Sequence, residues 1–252
     1  MNDQSDKLFA ARLGDMVSLC ERDGMYQFSS FLDERQCAEA EAWCARNTGE
    51  LRYRLWGGYG DARRKMLAVY SDYCEDYISE EYPFACLTFS YRKEDKLTHR
   101  DFLGTFMGLQ LKREVIGDIV TAEGKTQAFV TVVAAKLIMS AVSKIGRVGV
   151  KITDSLPFEL ENAQKYQDIS GTVASLRADC VVGLAAHLSR EKAAALIRAD
   201  KVEINHFPVS SVSRELRGGD ILSIRGFGRF VLSDINGETK KGRIHIELKK
   251  YI

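Results

Sequence analysis

The sequence of 252 residues lacks the features that mark several large classes of protein. No apolar run reaches the roughly 18 residues that a membrane-spanning helix needs, and the charged N-terminus has no apolar segment of a secretory signal. The six cysteines show no C-x-x-C spacing and the four histidines form no close pair, which argues against disulfides and against a zinc site. We therefore expect a cytoplasmic protein with reduced thiols, and we expect no membrane partner, metal or cofactor.

Motifs of catalysis are also missing. The sequence contains no G-x-x-x-x-G-K-[ST] phosphate loop, no G-x-S-x-G elbow, and no two acids whose helical spacing would aim them at one point. The stretch GGYGDARRK, residues 57–65, is compatible with an anion-binding loop, but a turn with a solvated basic rim explains it more simply. His99 is compatible with catalysis, but capping or packing explains it more simply. We predict that the protein is not an enzyme and has no catalytic residue.

Charge is distributed unevenly along the chain. From residue 177 onward, 14 lysines and arginines stand against 9 acidic residues, a net charge of +5, whereas the whole chain carries +1. Residues 1–50 have 5 basic and 10 acidic residues. A basic C-terminal third on an acidic body suggests a polyanionic partner for that third, although such an excess also arises from the needs of solubility.

Helical and β-type patterns are mixed along the chain, which predicts an α+β protein of three small domains. Prolines and changes of pattern place the boundaries near residues 83 and 165. The predicted domains are an N-terminal α/β domain (1–83), a central α+β domain (84–165) and a C-terminal domain (166–252).

Local signals predict several element boundaries. Thr98, with Asp101 three residues later, predicts a capping box at a helix start. Asn236-Gly237 predicts a two-residue hairpin turn between the last two strands. A helix over residues 188–199 is predicted to bury a face that contains Leu188, Ala195 and Leu196.

The stretch LSREKAAALIRADKVEIN, residues 188–205, has the features of a phosphate-binding surface. Ser189 can cap the helix by accepting a hydrogen bond from a backbone N–H of its first turn. The unpaired N–H groups and the positive dipole end of a helix N-terminus suit a phosphate, and Arg190 and Lys192 add full charges beside them. The predicted RNA-binding residues are Arg177, Ser189, Arg190, Lys192, Lys201, Asn205, Arg225, Arg229, Lys240 and Lys241.

Two stretches, LRADCVVGLAAHLSREKAAALIRADKVEIN and RGGDILSIRGFGRF, resemble an S4 RNA-binding domain. That family has two short helices, the second opening with S-R-x-x-A, then V-x-V-N, G-D-x-I and a basic hairpin. The resemblance implies an S4-type αL fold, two helices plus a small β-sheet, for residues 166–252. Asp200 and His206 stand where the family usually has glycine, and Asp200 places a carboxylate near the phosphate-binding surface. The matching positions are Ser189, Arg190, Ala193, Val202, Ile204, Asn205, Gly219, Asp220, Ile221 and Arg225.

Four further stretches extend the resemblance to the YlmH-type S4 proteins of bacteria: GGYGDARRKMLAVY, LTHRDFLGTFMGLQLKREVIGDI, SKIGR and GETKKGRIHIELKKY. The resemblance implies a central RNA-binding domain as well as the S4 domain. It also implies a non-enzymatic protein that binds 23S rRNA of the large (50S) ribosomal subunit, with peptidyl-tRNA as a further partner, in ribosome-associated quality control of translation.

Two other functions stay open on the sequence. One is an RNA-modifying enzyme with an S4 appendage. Asp179 in LRADC superficially resembles the aspartate of a pseudouridine synthase, although a helix cap is the simpler interpretation. The other is an adaptor protein linked to cell division, which would use the acidic N-terminal segment.

Overall fold

The computed structural model describes residues 3–155, 166–239 and 242–251. The chain divides into two compact units, Met1–Leu160 and Glu161–Ile252, called here the N-terminal and the C-terminal unit. Both units combine helices with antiparallel sheets, so the predicted α+β class is confirmed. The finer division of the N-terminal unit into two domains stays a prediction. Within those three ranges, no helix combines the length and apolar character needed to cross a bilayer.

The first half of the N-terminal unit packs two helices on a three-stranded sheet of order β1-β3-β2. Strand β3 is buried along its whole length because both of its faces are covered. Leu67 and Val69 face the helices, whereas Met66 and Tyr70 face a second core that includes Phe129. The elements are α1 (Asp3–Asp23), β1 (Tyr26–Phe28), α2 (Glu34–Asn47), β2 (Arg52–Trp56) and β3 (Met66–Tyr70).

All six cysteines are free thiols, and five of them are buried. Cys37 and Cys44, both on α2, pack in the core beneath the two helices. Burial raises the pKa of each of these two thiols to about 11, so both stay protonated at neutral pH. These cysteines therefore serve as small apolar residues.

The second half of the N-terminal unit is a four-stranded antiparallel sheet of order β5-β6-β4-β9, against which α3 and α4 pack. The predicted capping box is confirmed, because Thr98 and Asp101 exchange both of its hydrogen bonds at the start of α3. The elements are β4 (Phe84–Ser90), α3 (His99–Gly108), β5 (Ile116–Ala122), β6 (Lys125–Thr131), α4 (Val132–Ala141), β7 (Lys144–Ile145), β8 (Val148–Gly149) and β9 (Lys151–Asp154).

The glycine-rich loop of residues 57–65 joins these two halves. The Asp118 carboxylate accepts hydrogen bonds from the backbone N–H of Arg63 at 2.7 Å, that of Arg64 at 3.2 Å, and the Tyr59 hydroxyl at 2.9 Å. Gly58 has a φ of +97°, and a Cβ there would lie 2.4 Å from the Phe129 ring. The anion that this loop binds is therefore the Asp118 carboxylate of the same chain. The glycines of the loop permit close packing.

The C-terminal unit places two short helices against one six-stranded antiparallel sheet of order β10-β15-β14-β13-β11-β12. The helices approach closely because Gly183 leaves only 3.2 Å between the position of a Cβ and the Leu188 carbonyl oxygen. The elements are β10 (Tyr166–Val173), α5 (Ala178–Ala185), α6 (Arg190–Arg198), β11 (Val202–Ile204), β12 (Phe207–Pro208), β13 (Ile221–Ile224), β14 (Gly228–Glu238) and β15 (Ile244–Tyr251).

Two predictions for this unit are wrong in detail. Leu188 and Leu196 pack against the core as predicted, but α6 buries Ala193, Ala194 and Ile197, whereas Ala195 is exposed, because contact with α5 sets the orientation of the helix. Asn236-Gly237 lies inside β14 at an irregular register, with Gly237 at a φ of +70°. The hairpin turn comes later, where the Thr239 N–H donates to the Arg243 carbonyl oxygen at 2.7 Å.

Candidate nucleic-acid interface

The start of α6 presents the predicted cap and two cations. Ser189 is the N-cap, and its hydroxyl oxygen accepts a hydrogen bond from the Lys192 N–H at 3.3 Å, as predicted. Its backbone is extended, so the helix begins at Arg190. The side chains of Arg190 and Lys192 are exposed beside the first turn. An anion at this helix end would meet both full charges and the dipole.

A buried carboxylate fixes the position of two of the predicted arginines. Asp179, only 4% exposed, accepts hydrogen bonds from Arg190 Nε at 2.8 Å and from Arg177 Nε at 3.2 Å. Burial alone would raise the pKa of Asp179, but the hydrogen bonds from Arg177 and Arg190 outweigh it and the pKa is lowered. Asp179 therefore stays ionised at neutral pH.

The position of Asp179 corrects its interpretation as a helix cap. The N-cap of α5 is Arg177, and Asp179 lies one residue inside the helix, where its side chain bonds the two guanidinium groups. Because Asp179 engages Nε of Arg190, and the Arg190 side chain is 60% exposed, the rest of that guanidinium can face a ligand. We call Arg177, Asp179, Ser189, Arg190 and Lys192 the helix-start cluster.

A cleft of about 370 Å³ lies beside the helix-start cluster and contains an arginine that sequence reasoning missed. Arg243 lines it together with Arg190 and His187. The Arg243 guanidinium is held by the Thr172 carbonyl oxygen at 2.6 Å and the Thr172 hydroxyl at 3.1 Å. Its only sequence signal was its place in the basic run KKGR, two residues after Lys241.

A second pair of predicted residues meets where β11 and β13 come together. The Arg225 N–H donates to the Lys201 carbonyl oxygen at 2.9 Å, and both side chains are exposed. The turn before Lys201 is formed by Asp200, whose φ is +52°. Glycine adopts this left-handed conformation without a steric penalty, so the expectation of glycine at this position has a physical reason. We call Lys201 and Arg225 the turn pair.

Asn205 and Arg229 are predicted site residues whose side chains have intramolecular partners. The Asn205 amide donates to Asp220 at 2.8 Å, and its side-chain oxygen accepts from the Ile221 N–H at 2.9 Å. One guanidinium nitrogen of Arg229 lies 3.1 Å from a ring nitrogen of His206. His206, the second position where glycine was expected, has a φ of +68°.

The structure therefore groups some of the predicted residues and not others. The carboxylate of Asp179 brings Arg177 and Arg190 together, and a backbone hydrogen bond pairs the turns of Lys201 and Arg225. Lys240 and Lys241 lie outside the described residues. Chemically, the helix-start cluster combines exposed guanidinium and ammonium groups with a helix N-terminus, which suits phosphate binding.

Comparison with known proteins is consistent with RNA as the polyanionic partner that the charge distribution suggests. Residues 78–159 match the family model described as "Putative RNA-binding domain in YlmH". The chain is 32% identical over 228 residues to the "Ribosome-associated protein quality control protein P2" of Bacillus subtilis, covering 89% of this chain and 87% of that protein.

A solved structure shares the fold. The "Cell division protein ylmH from Streptococcus pneumoniae" superposes with a TM-score of 0.54 at 17% identity, over 64% of this chain and 96% of that one. At this identity the likeness concerns the fold alone. The identity to the Bacillus subtilis protein extends over most of both chains, and the RNA-binding-domain model matches the centre. The chain therefore belongs to the YlmH family.

Proposed function

We propose that this protein is a non-enzymatic RNA-binding factor that binds 23S rRNA of the large ribosomal subunit beside a peptidyl-tRNA. It would act in ribosome-associated quality control in the cytoplasm. The name of the Bacillus subtilis relative supports the process, and the family model supports RNA as a ligand. The C-terminal unit would act as an S4 domain. Its two adjacent short helices, the second opening with Ser189 and Arg190, support that assignment.

The observation that supports the proposal most strongly is the arrangement of the helix-start cluster. A buried, ionised Asp179 holds Arg190 beside the N-terminus of α6, so an RNA phosphate would meet an arginine whose position is already fixed. Fixing a side chain before binding reduces the conformational entropy that binding would otherwise cost.

The mode of binding would be recognition of shape more than of sequence. Structured RNA exposes phosphates and 2′-hydroxyl groups, and contacts to phosphates set position without reading bases. The helix-start cluster would bind one backbone strand. The turn pair, with Arg229, would bind a second.

Removal of the exposed charges at the helix start tests this proposal. We expect Arg190→Ala combined with Lys192→Ala to abolish co-sedimentation with large ribosomal subunits at moderate salt, because two phosphate contacts are lost. The matched control is Arg22→Ala with Arg46→Ala, which removes two exposed arginines from α1 and α2 of the N-terminal unit. A circular dichroism spectrum equal to that of the wild type would show that the fold is intact. Co-sedimentation equal to that of the control would contradict the site assignment.

A further inference from the structure

The N-terminal unit contains a second concentration of positive charge, formed by residues that are not among the predicted site residues. A cleft of about 440 Å³ is bounded by α1, by the loop before α2 and by the turn before β5. Four cationic side chains line it. We call this feature the arginine cleft, and its cations are Arg12, Arg64, Lys112 and Arg113.

Two of the four cations are held in place by backbone carbonyl groups. Arg64 donates from Nε to the Ile116 oxygen at 2.8 Å and from Nη2 to the oxygens of Phe31 and Arg113, both at 3.1 Å. Arg113 donates from Nη1 to the oxygens of Ile116 at 2.8 Å and Gly117 at 3.2 Å. These bonds orient both guanidinium groups without neutralising their charges.

Part of each guanidinium has no acceptor among the residues that the structure describes. In the described ranges, no hydrogen bond uses Nη1 of Arg64 or Nε and Nη2 of Arg113, and neither side chain forms an ion pair with a carboxylate. Burial, and then the charge of Arg64, lower the pKa of Arg113 to about 10. Burial also lowers the pKa of Arg64. Both groups stay protonated at neutral pH, so an anion in the cleft would relieve their mutual repulsion.

The other groups of the cleft define the kind of anion. Its acids are Asp33, which caps α2 by accepting from the Gln36 N–H at 2.9 Å, and Glu114, which lies 3.8 Å from Lys112. The charge of Asp118 also acts on Arg64 and Arg113, so four cations face three acids and a positive balance remains. The wall formed by α1 contributes Arg12 and, beside it, the apolar side chains of Phe9 and Met16. A ligand that suits both features has a negatively charged group next to a flat apolar one, as a nucleotide does.

We propose that the arginine cleft binds one nucleotide of an RNA strand. Its phosphate would lie against Arg64 and Arg113, with Arg12 and Lys112 at the rim, and its base would lie against Phe9. RNA is favoured over a phosphorylated protein because the match to the RNA-binding-domain model includes Lys112 and Arg113. The inference rests on the proposed function only in taking RNA as the ligand, since that proposal uses the C-terminal unit.

The test measures binding of a short fluorescent oligoribonucleotide to the full chain carrying Arg190→Ala and Lys192→Ala, so that the helix-start cluster does not contribute. Into this background we introduce Arg12→Gln with Lys112→Gln. Both side chains are exposed, and within the described part of the chain neither donates a hydrogen bond that holds the fold. The control adds Arg22→Gln with Arg46→Gln instead. We expect the cleft variant to bind about tenfold more weakly than the control, since two cations beside one phosphate are removed. Equal affinities would overturn the inference.

Competition with inorganic phosphate and adenosine monophosphate identifies the source of the ligand. If the cleft binds RNA, the oligoribonucleotide binds more tightly than either small molecule, because neighbouring nucleotides add contacts. If adenosine monophosphate binds as tightly as the oligoribonucleotide and loses affinity in the cleft variant, the assignment to RNA is overturned. Failure of the ribosome-binding proposal would appear separately, as co-sedimentation that survives Arg190→Ala with Lys192→Ala.

Discussion

Asp179 links the stability of the C-terminal unit to the position of two arginines. Its carboxylate is buried and accepts hydrogen bonds from Arg177 and Arg190. We expect Asp179→Asn to lower the free energy of unfolding of this unit by about 1–3 kcal/mol at neutral pH, because charge-assisted bonds in a buried place are lost. Hydrogen exchange of the amides in β14 and β15 measures the free energy of unfolding of this unit alone.

The same residue predicts a dependence on pH. The pKa of Asp179 is lowered in the folded protein, so its stabilisation is fully present above the unfolded pKa of about 3.9 and is lost as the pH falls through the folded value. The difference between wild type and Asp179→Asn should therefore shrink below about pH 4. Asp168→Asn, which changes an exposed aspartate of β10, is the control. A difference that stays constant down to pH 3, roughly one unit below the unfolded pKa, would contradict this role.

Asp200 has a backbone conformation that costs free energy. Its φ is +52°, in the left-handed region where glycine has no penalty. We expect Asp200→Gly to stabilise the C-terminal unit by about 0.5–1 kcal/mol. Ala199→Gly, at a φ of −91°, should destabilise it instead, because there glycine adds only entropy to the unfolded chain. Equal effects of the two substitutions, measured by hydrogen exchange, would show that the conformation of Asp200 has no cost.

At the scale of elements, the glycine-rich loop before β3 packs closely between the halves of the N-terminal unit. A Cβ at Gly58 would lie 2.4 Å from the Phe129 ring, at a φ of +97°. We expect Gly58→Ala to lower the free energy of unfolding by about 3 kcal/mol or more, since overpacking adds to backbone strain. At Gly60 an added Cβ meets no atom within 4 Å, so Gly60→Ala should change stability little. Urea denaturation of the full chain compares the stabilities of the two variants. Similar midpoints would show that Gly58 is not closely packed against Phe129.

Elements that depend on local chemistry were predictable from the sequence. The caps at Thr98 and Ser189 follow from side chains that bond backbone groups three residues away. The buried face of α6 was predicted only in part, because contact with α5 decides which side of the helix is covered. The prediction of a hairpin turn at Asn236-Gly237 was wrong, because β14 continues through an irregular register to Glu238.

The candidate site was predictable in part. The charges at Arg190 and Lys192 follow from the sequence. The sequence also marked Asp200 and His206 as positions where glycine was expected, and both residues have a positive φ. The role of Asp179 could not be predicted, because the sequence does not tell which arginines lie beside its carboxylate. Arg243 is 53 residues from Arg190 along the chain, and only the fold brings both to one cleft.

At the scale of the whole molecule, the basic C-terminal third predicts that the affinity for RNA falls as the salt concentration rises. If roughly four to six phosphates are bound, the slope of log K against log salt concentration should be about −3 to −5 for the wild type. Arg190→Ala with Lys192→Ala should make the slope shallower by about 1.5–2, because two phosphate contacts are lost. Fluorescence titration of large-subunit RNA at several salt concentrations measures both slopes. Parallel lines would mean that these two residues do not contact phosphates.

The most direct test of the central claim is to crosslink the purified full chain to large ribosomal subunits with ultraviolet light. The attached RNA is then sequenced and the attached peptides are identified. We predict crosslinks between 23S rRNA and peptides of the C-terminal unit that contain the helix-start cluster or the turn pair. Crosslinks that never include the C-terminal unit, or that join it to RNA other than 23S rRNA and tRNA, would contradict the account.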